Sequence, residues 1–388
     1  MGLKVVYAVP FPLEGAVAQR VYWLARALHE SGRVNEVQVI APTISGDHRD
    51  EGWLRHIKAE GTEGQSRGVW HKVKRRVSLG RGTVAALSDM GRRPDLVIVY
   101  GGGSLYMERI LKWGRASGVP ITADVVEWYD SSHLPLGRLG PFALDNWVLM
   151  TRTLMHVDGV IAISRLLERH VHRGSSAPVI RIPPLVGGVV RQDVIESRRA
   201  GPIRLAYCGN PGKKDRLDLV VRAIAELDPL GGLYEFAIAG PTRQEIVAMT
   251  TDGNLPRSIH VLGRVSHAEA VDLVRRADWV PLVRDDLRFA NAGFPTKVVE
   301  ALSVGTPVLA NLTSDLDEVL VDGANAVVVS SPDIPSVVQA LERARELTTN
   351  DPEFLAAASL RTAADLFVFH RHVPALDVWL SEVIGCSA

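Results

Sequence analysis

Short apolar runs alternate with segments of helical periodicity along the first half of the chain. Residues 3–9 form an apolar run typical of a buried strand. A helix pattern follows, and its apolar face is formed by Val17, Val21, Leu24 and Leu28. Further strand patterns occupy residues 37–41, 95–100, 121–126 and 157–163. This alternation predicts a doubly wound parallel sheet.

The second half repeats the alternation after an irregular stretch at residues 186–200. Apolar runs typical of strands recur at residues 203–209, 233–240, 259–263, 278–283, 307–310 and 326–330, and a helical tail covers residues 352–384. We therefore expect an α/β protein with two Rossmann-like doubly wound parallel-sheet domains, at residues 1–190 and 200–370. Ligands of such sheets bind at the carboxyl ends of the strands.

Length and composition narrow the class of protein. The 388 residues suit two domains of about 150–200 residues each. Lys plus Arg and Asp plus Glu both total 44, so no net field favours a nucleic-acid partner. The two cysteines, Cys208 and Cys386, lack metal-ligand spacing and suit a reducing compartment. No apolar run reaches the roughly 18–20 residues that cross a bilayer, so we expect a cytoplasmic protein without a signal peptide.

Residues 291–309 carry the most specific chemical pattern in the chain. Gly293 allows a ligand to approach the backbone closely, and Pro295 stands at the expected start of a helix. The free N–H groups and positive end of that helix favour an anionic oxygen. Glu300 lies one turn beyond Thr296, where its carboxylate can accept two hydroxyl hydrogen bonds from a ribose. Alone, the segment would fit an ordinary α/β crossover with a surface glutamate.

The spacing of this segment resembles the donor-sugar site of family 4 glycosyltransferases, which have the GT-B fold. The shared pattern is Gly-Phe-Pro, four residues, Glu-Ala-Leu, and then Gly-Thr-Pro-Val. The resemblance implies two domains facing a central cleft, with a C-terminal helix at residues 371–388 packing back on the first domain. It also implies that backbone amides meet a diphosphate, that Glu300 holds the ribose, and that no cofactor or metal is required. The expected donor contacts are Asn291, Gly293, Phe294, Pro295, Thr296 and Glu300.

A glycine-rich turn follows the first strand of the second half, at residues 208–215. Its glycines and cations lead into a helix, an arrangement that binds diphosphates. It resembles the family passage in which an Arg and a Lys clamp the diphosphate, although Asn210 stands where Arg is common. We expect Lys213 and Lys214 to carry the charge as catalytic groups, and Gly209 and Asn210 to contact the donor. The alternative is a solvated turn rich in lysine.

Residues 260–265 resemble the family segment whose backbone recognises the nucleotide base. We expect Arg264 and Val265 to contact the donor there, together with Gly240 at the end of the preceding strand. A plain strand end explains the same residues equally well.

The first half offers candidates for the acceptor. The loop ending at Gly15 matches the acceptor-facing turn of the family, with one glycine instead of a pair. Asp124, Glu127 and Asp130 lie at a strand end where many family members carry a histidine, and carboxylates there can orient or deprotonate sugar hydroxyls. We expect Glu127 to be catalytic, and Gly15 and Asp130 to contact the acceptor. Helix capping by Asp130 and solvent exposure of the others is the alternative.

Ala292 departs from the family motif, which is Glu, seven residues, Glu. The missing carboxylate normally contacts the transferred sugar. Asn291 or Lys297 could replace it, and Lys297 could equally be a solvated helix residue. A retaining front-face mechanism needs no catalytic base, because the leaving phosphate can accept the proton of the acceptor. The acidic pair at residues 285–286 is flanked by arginines and indicates no metal site.

The expected function is retaining transfer of a hexose or related sugar from a nucleotide diphosphate sugar, with UDP as the usual family nucleotide. The acceptor would be a glycan or lipid-linked molecule in bacterial polysaccharide or glycoconjugate assembly. The basic run at residues 67–82 either lies on the anionic inner face of the plasma membrane or is a solvated loop. The alternatives are a GT-B sugar-nucleotide 2-epimerase and a catalytically inactive partner protein, which Ala292 supports best.

Overall fold

The chain forms two compact units. The computed structural model describes residues 2–43, 51–59, 78–130, 134, 137–189, 201–212, 214–250 and 253–385. Unit 1 comprises Met1–Leu185 and Phe369–Ala388, and unit 2 comprises Val186–Val368. The change of unit after Leu185 has a local cause, because the N–H of Val186 donates to the Phe367 carbonyl oxygen at 2.9 Å.

Unit 1 is built on a seven-stranded sheet in which every pairing is parallel. Its strands are β1 (Leu3–Ala8), β2 (Val34–Ala41), β3 (Leu54–Lys58), β4 (Leu96–Tyr100), β5 (Ile121–Val125), β6 (Gly159–Ala162) and β7 (Val179–Arg181). Their order is β3-β2-β1-β4-β5-β6-β7. The order reverses between β1 and β4, which is the Rossmann topology.

Helices join the strands of unit 1. They are α1 (Gly15–Glu30), α2 (Arg81–Ser88), α3 (Ser104–Ser117), α4 (Pro141–Thr151) and α5 (Arg165–His172), and the C-terminal α13 (Val373–Gly385). The apolar face of α1 is buried in the core, as the sequence pattern predicts; Val21, Leu24 and Leu28 are all inaccessible or nearly so. Trp379 and Val383 of α13 join the same core.

The helical tail at residues 352–384 consists of two helices joined by a turn. The first part is α12 (Pro352–Leu366), which belongs to unit 2, and the chain then makes a 3₁₀ turn at Phe369–His372 before α13. Phe369 stacks on Trp23 of α1 with ring centroids 5.3 Å apart. The chain breaks because its apolar residues on either side of the turn pack into different cores.

The described residues of unit 2 form six parallel strands in two groups of three. They are β8 (Ile203–Cys208), β9 (Tyr234–Ala239), β10 (Ile259–Gly263), β11 (Val280–Leu282), β12 (Val308–Ala310) and β13 (Ala326–Val328). The groups run β10-β9-β8 and β11-β12-β13, and a parallel bridge between Leu205 and Trp279 joins them. The order again reverses between the first and fourth strands. The predicted α/β class with two Rossmann-like parallel-sheet domains is thus confirmed.

The helices of unit 2 are α6 (Leu217–Leu227), α7 (Arg243–Val247), α8 (His267–Arg276), α9 (Arg288–Ala292), α10 (Thr296–Ser303), α11 (Ile334–Asn350) and α12. Trp279 is fully buried in the core and donates its indole N–H to Thr348 Oγ1 at 2.7 Å. Across the described residues of both units, no helix combines the length and the apolar character needed to span a bilayer.

Candidate functional site

Three glycines lie together at the carboxyl ends of neighbouring strands in unit 2. Gly209 follows β8, Gly240 follows β9 and Gly263 ends β10, and all three have positive φ, at 117°, 116° and 67°. The N–H of Gly240 donates to the Gly263 carbonyl oxygen at 2.6 Å. A Cβ on Gly240 would stand 2.5 Å from the Gly209 carbonyl oxygen. Only glycine fits such an approach, so the chain turns tightly and the three glycines place no side chain of their own above the strand ends.

The Gly-Phe-Pro passage positions the start of α10. Pro295 is the residue before the helix, with extended φ and ψ of −75° and 102°, so the helix begins at Thr296 rather than at the proline. Phe294 is nearly buried and meets Phe367 edge-on, with ring centroids 5.8 Å apart. The side chains therefore anchor the passage, and what it presents is backbone. The early N–H groups of α10 and its positive end suit an anion, as the sequence predicts.

Asn291 holds the loop that precedes α10. Its amide nitrogen donates to Asp286 Oδ1 at 2.5 Å and to the Leu287 carbonyl oxygen at 3.2 Å. Its oxygen accepts the N–H of Ser314 at 2.7 Å. These bonds engage the Asn291 side chain with the preceding residues and with the segment after β12, and Ala292 beside it is fully buried.

Glu300 lies on α10 near the end of β8. Its side chain reaches solvent, yet the surrounding protein raises its pKa above the usual value, an effect that the charges of Lys297 and His267 oppose. Burial and the charge of Glu300 together raise the pKa of the Cys208 thiol to about 11. A carboxylate that is accessible from one side and crowded from the others is suited to accept hydrogen bonds from a ligand.

A buried charged cluster lies where the strand order of unit 2 reverses. Asp215 accepts hydrogen bonds from Arg284 Nε at 2.8 Å, Lys297 Nζ at 2.9 Å and the Tyr207 hydroxyl at 2.6 Å. The Asp215 and Arg284 side chains are 4% and 8% exposed, whereas Lys297 is 18% exposed. Burial would raise the pKa of Asp215, but the charges of Lys297 and Arg284 outweigh it and hold that pKa below its ordinary value. Two cations thus share one carboxylate.

This cluster also shows that Lys297 is not a solvated helix residue. Its ammonium lies 4.9 Å from the centre of the Tyr207 ring. Sequence reasoning named Lys297 only as a replacement for a sugar contact, and it did not single out Asp215, Arg284 or Tyr207. Lys297 was the available signal, because a lysine in the first turn of a helix opposes the helix dipole and therefore needs a local reason.

The glycine-rich turn after β8 carries the two lysines of the predicted clamp, which stays a prediction. Lys213 lies outside the described residues. The ammonium of Lys214 lies 3.9 Å from the centre of the Phe289 ring. Asn210 accepts the N–H of Gly212 at 2.9 Å through its side-chain oxygen, so it shapes the turn and brings no charge.

The expected base-reading segment forms the connection between β10 and α8. Arg264 is exposed and Val265 is half-buried. Ser266 and Glu269 then form a reciprocal cap at the start of α8. The backbone of this connection leaves the same sheet edge as Gly240, and its contact with the donor stays a prediction.

In unit 1 the three candidate carboxylates have different surroundings. Asp124 is fully buried and binds Arg20 through both oxygens, at 2.7 to 3.0 Å, and the Tyr7 hydroxyl at 2.6 Å. It is therefore engaged in the core. Glu127 and Asp130 are half-buried. Burial, together with the charge and hydrogen bond of Glu127, raises the pKa of the neighbouring Tyr129.

Two turns of unit 1 contain glycines with positive φ, and the space around these glycines differs. Gly15 begins α1 with φ of 54° and open space around it. Gly101 and Gly102 follow β4 with φ of 55° and 84°, and a Cβ on Gly102 would meet Tyr106 at 2.8 Å. This second turn was missed in the sequence, although three consecutive glycines at residues 101–103 mark it.

The segments described in the structure contain no group of His, Cys, Asp and Glu side chains arranged to hold a metal. The basic run at residues 67–82 lies mostly outside them.

Comparison with known proteins agrees with this geometry. Residues 191–358 match the family "Glycosyl transferases group 1", and residues 15–184 match the family "Glycosyl transferase 4-like domain". No curated protein sequence matches the chain.

Solved structures of similar fold cover the whole chain. Sucrose-phosphate synthase from Thermosynechococcus elongatus has a TM-score of 0.73 at 14% identity, covering 99% of this chain and 100% of its own. A glycosyltransferase from Rickettsia africae has a TM-score of 0.68 at 12% identity, with 99% of each chain covered. Anabaena Alr3699/HepE, in complex with UDP and glucose, has a TM-score of 0.65 at 12% identity, with 99% and 100% covered. At such identities these likenesses establish the fold, and the family matches establish the membership: the chain belongs to the group 1 glycosyltransferases with the GT-B fold.

Proposed function

We propose that this protein transfers a hexose or related sugar from a UDP-sugar to an acceptor hydroxyl, with retention of configuration. The observation that carries the proposal is the edge of unit 2, where the glycine strand ends, the start of α10 and Glu300 lie together. That edge offers backbone N–H groups for a diphosphate and a carboxylate for a ribose. A structure of Anabaena Alr3699/HepE contains UDP-glucose, which favours uridine among the nucleotides.

The chemistry follows from the charges involved. The bond between the sugar C1 and the phosphate oxygen breaks, and its electron pair stays on the leaving diphosphate. The acceptor oxygen bonds to C1, and its proton passes to an oxygen of that phosphate. Positive charge near the diphosphate therefore lowers the barrier, and the transfer requires no carboxylate at position 292. We include no metal in this proposal, so a chelator should leave the rate unchanged.

For the acceptor, we propose a glycan or lipid-linked molecule in bacterial polysaccharide or glycoconjugate assembly. Glu127, Asp130 and Gly15 of unit 1 are its proposed contacts. This part rests on the resemblance of the sequence and on the half-buried carboxylates after β5. A lipopolysaccharide outer core galactosyltransferase, WaaB, is among the proteins of similar fold, with a TM-score of 0.61.

A thermal melt with UDP, GDP, ADP and TDP tests the donor site. A ligand at about 100 times its Kd adds about 2.7 kcal/mol of stability, which raises the melting temperature by several degrees. We expect the largest shift with UDP and its loss in Glu300→Ala, with the unliganded melt preserved. Glu346→Ala, which removes an exposed glutamate from α11, should keep the shift. No shift with any of the four nucleotides would refute the proposal.

A turnover measurement distinguishes a transferase from a catalytically inactive protein of the same fold. Ala292 supports a catalytically inactive protein, because it replaces the family carboxylate and is fully buried. Release of UDP from UDP-glucose in the presence of mixed glycan and lipid-linked acceptors supports a transferase. Nucleotide binding without such release would favour the inactive protein.

A further inference from the structure

The side chain of Lys297 lies beside Gly209, at the carboxyl end of β8. A Cβ on Gly209 would stand 3.2 Å from Lys297 Cε and 3.5 Å from its Nζ. The side chain therefore runs from the first turn of α10 across the end of β8. Because ligands of a Rossmann sheet bind at this edge, next to the reversal of strand order, the ammonium stands at the expected position of the ligand.

The charge of Lys297 is only partly compensated. Among the described residues its ammonium has one hydrogen-bond acceptor, Asp215 Oδ2, and an ammonium has three donors. Asp215 is shared with Arg284, so the three groups together carry one net positive charge. The Lys297 side chain is 18% exposed, so it is not fully enclosed by the protein. A second anion can therefore join it without displacing Asp215.

Among the described residues, and apart from the chain neighbours of Gly209, only Lys297 has atoms within 4 Å of a Cβ built on that glycine. In the described part of the glycine-rich turn, Asn210 brings no charge and Lys214 faces the Phe289 ring. Glu300 lies three residues after Lys297 on α10, and positions three apart share a helix face. The charge of Lys297 lowers the pKa of Glu300, against the larger effect of burial that raises it. A ligand that binds both residues would therefore carry an anionic group for Lys297 and, close to it, hydroxyl groups for Glu300.

We propose that Lys297 is the cation that binds the donor diphosphate and stabilises it as it leaves, and that Asp215 is the residue that positions Lys297. This inference rests on the proposed function. Asp215 is itself fixed by the Tyr207 hydroxyl and by Arg284, so the carboxylate holds the ammonium at one place above Gly209. A fixed cation needs no reorganisation when charge develops on the phosphate oxygen, which makes it effective in catalysis.

The test compares the affinity for UDP, measured by calorimetry, across four variants. Lys297→Met keeps the length of the side chain without the charge, and it should raise the Kd about 10- to 100-fold. Lys297→Arg should recover part of the loss. Lys214→Met should change the Kd less than Lys297→Met. Arg257→Met removes an exposed cation before β10, at the opposite end of the strands, and should match the unaltered protein.

Salt dependence separates binding from a structural role. The slope of log Kd against log salt concentration should become shallower in Lys297→Met, because one ionic contact is lost. A mutation that only loosened the fold would lower the unliganded melting temperature and leave that slope unchanged. Asp215→Asn keeps the charge of Lys297 but releases it, so it should slow UDP release from UDP-glucose more than it raises the Kd for UDP.

The outcomes separate the two proposals. If UDP binds the unaltered protein and Lys297→Met binds it equally well with the same salt slope, this inference is overturned while the proposed function stands. If none of UDP, GDP, ADP and TDP binds the unaltered protein, the proposed function fails and this inference fails with it.

Discussion

Gly240→Ala should destabilise unit 2 more than the same change at Gly232. Both glycines have positive φ, at 116° and 131°, so an alanine at either position costs about 1–3 kcal/mol of backbone strain. The two positions differ in the space around them. A Cβ on Gly240 would stand 2.5 Å from the Gly209 carbonyl oxygen, whereas one on Gly232 would meet nothing within 4 Å. Relieving the collision adds about 1–3 kcal/mol at Gly240 alone.

Urea denaturation followed by circular dichroism measures both losses. We expect Gly232→Ala to lower the free energy of unfolding by about 1–3 kcal/mol and Gly240→Ala by about 2–6 kcal/mol. The collision also moves Gly209, which lies beside Lys297. The melt shift caused by UDP should therefore shrink in Gly240→Ala and persist in Gly232→Ala.

Two results would refute this reasoning. Equal destabilisation of the two variants would mean that the strand ends at Gly209 and Gly240 are not in contact. A full UDP shift in Gly240→Ala, despite the expected loss of stability, would mean that this edge of the sheet does not bind the nucleotide.

Other perturbations follow from the same contacts. Asp124→Asn leaves the buried Arg20 without its counter-charge, and it should cost about 3–5 kcal/mol in urea denaturation; a loss below about 1 kcal/mol would contradict the buried pair. The raised pKa of Glu300 means that the folded protein binds more protons than the unfolded chain. The free energy of unfolding should therefore fall as pH rises from about 4.3 through that raised pKa, and parallel pH profiles for Glu300→Gln and the unaltered protein would exclude it. Deleting residues 369–388 should unfold unit 1 and keep the UDP shift of unit 2, as melts would show.

The central part of each sheet could be predicted from sequence because its strands are buried on both faces. In β4 and β5 every residue is buried, and the run that forms β4 is apolar throughout. The edge strands β3 and β7 were missed, since Leu54–Lys58 reads Leu-Arg-His-Ile-Lys and is half-exposed. An edge strand has one neighbour and more contact with water, so polar residues obscure its period.

One part of the candidate site could also be predicted from the sequence, and another part could not. Glu300 and the start of α10 follow from spacing within one segment, so they could be proposed from sequence. The charged cluster could not, because Asp215 meets Arg284 across 69 positions and Lys297 across 82. Nothing in a local pattern indicates which of several arginines and lysines a distant aspartate will bind. Topology decides it, by bringing the ends of β8 and β11 to one edge.

Because the chain returns to unit 1 at Phe369, the two units become complete in a fixed order during synthesis. Unit 2 is continuous, so residues 186–368 are complete while unit 1 still lacks its last helix. The indole N–H of Trp379 donates to the Pro178 carbonyl oxygen across 201 positions, and Val383 packs against Gly159. These contacts form only after residues 373–385 have emerged from the ribosome, although domains generally fold from the N-terminus onward during synthesis. In this chain the second unit can reach its native state first, and the first unit becomes complete last.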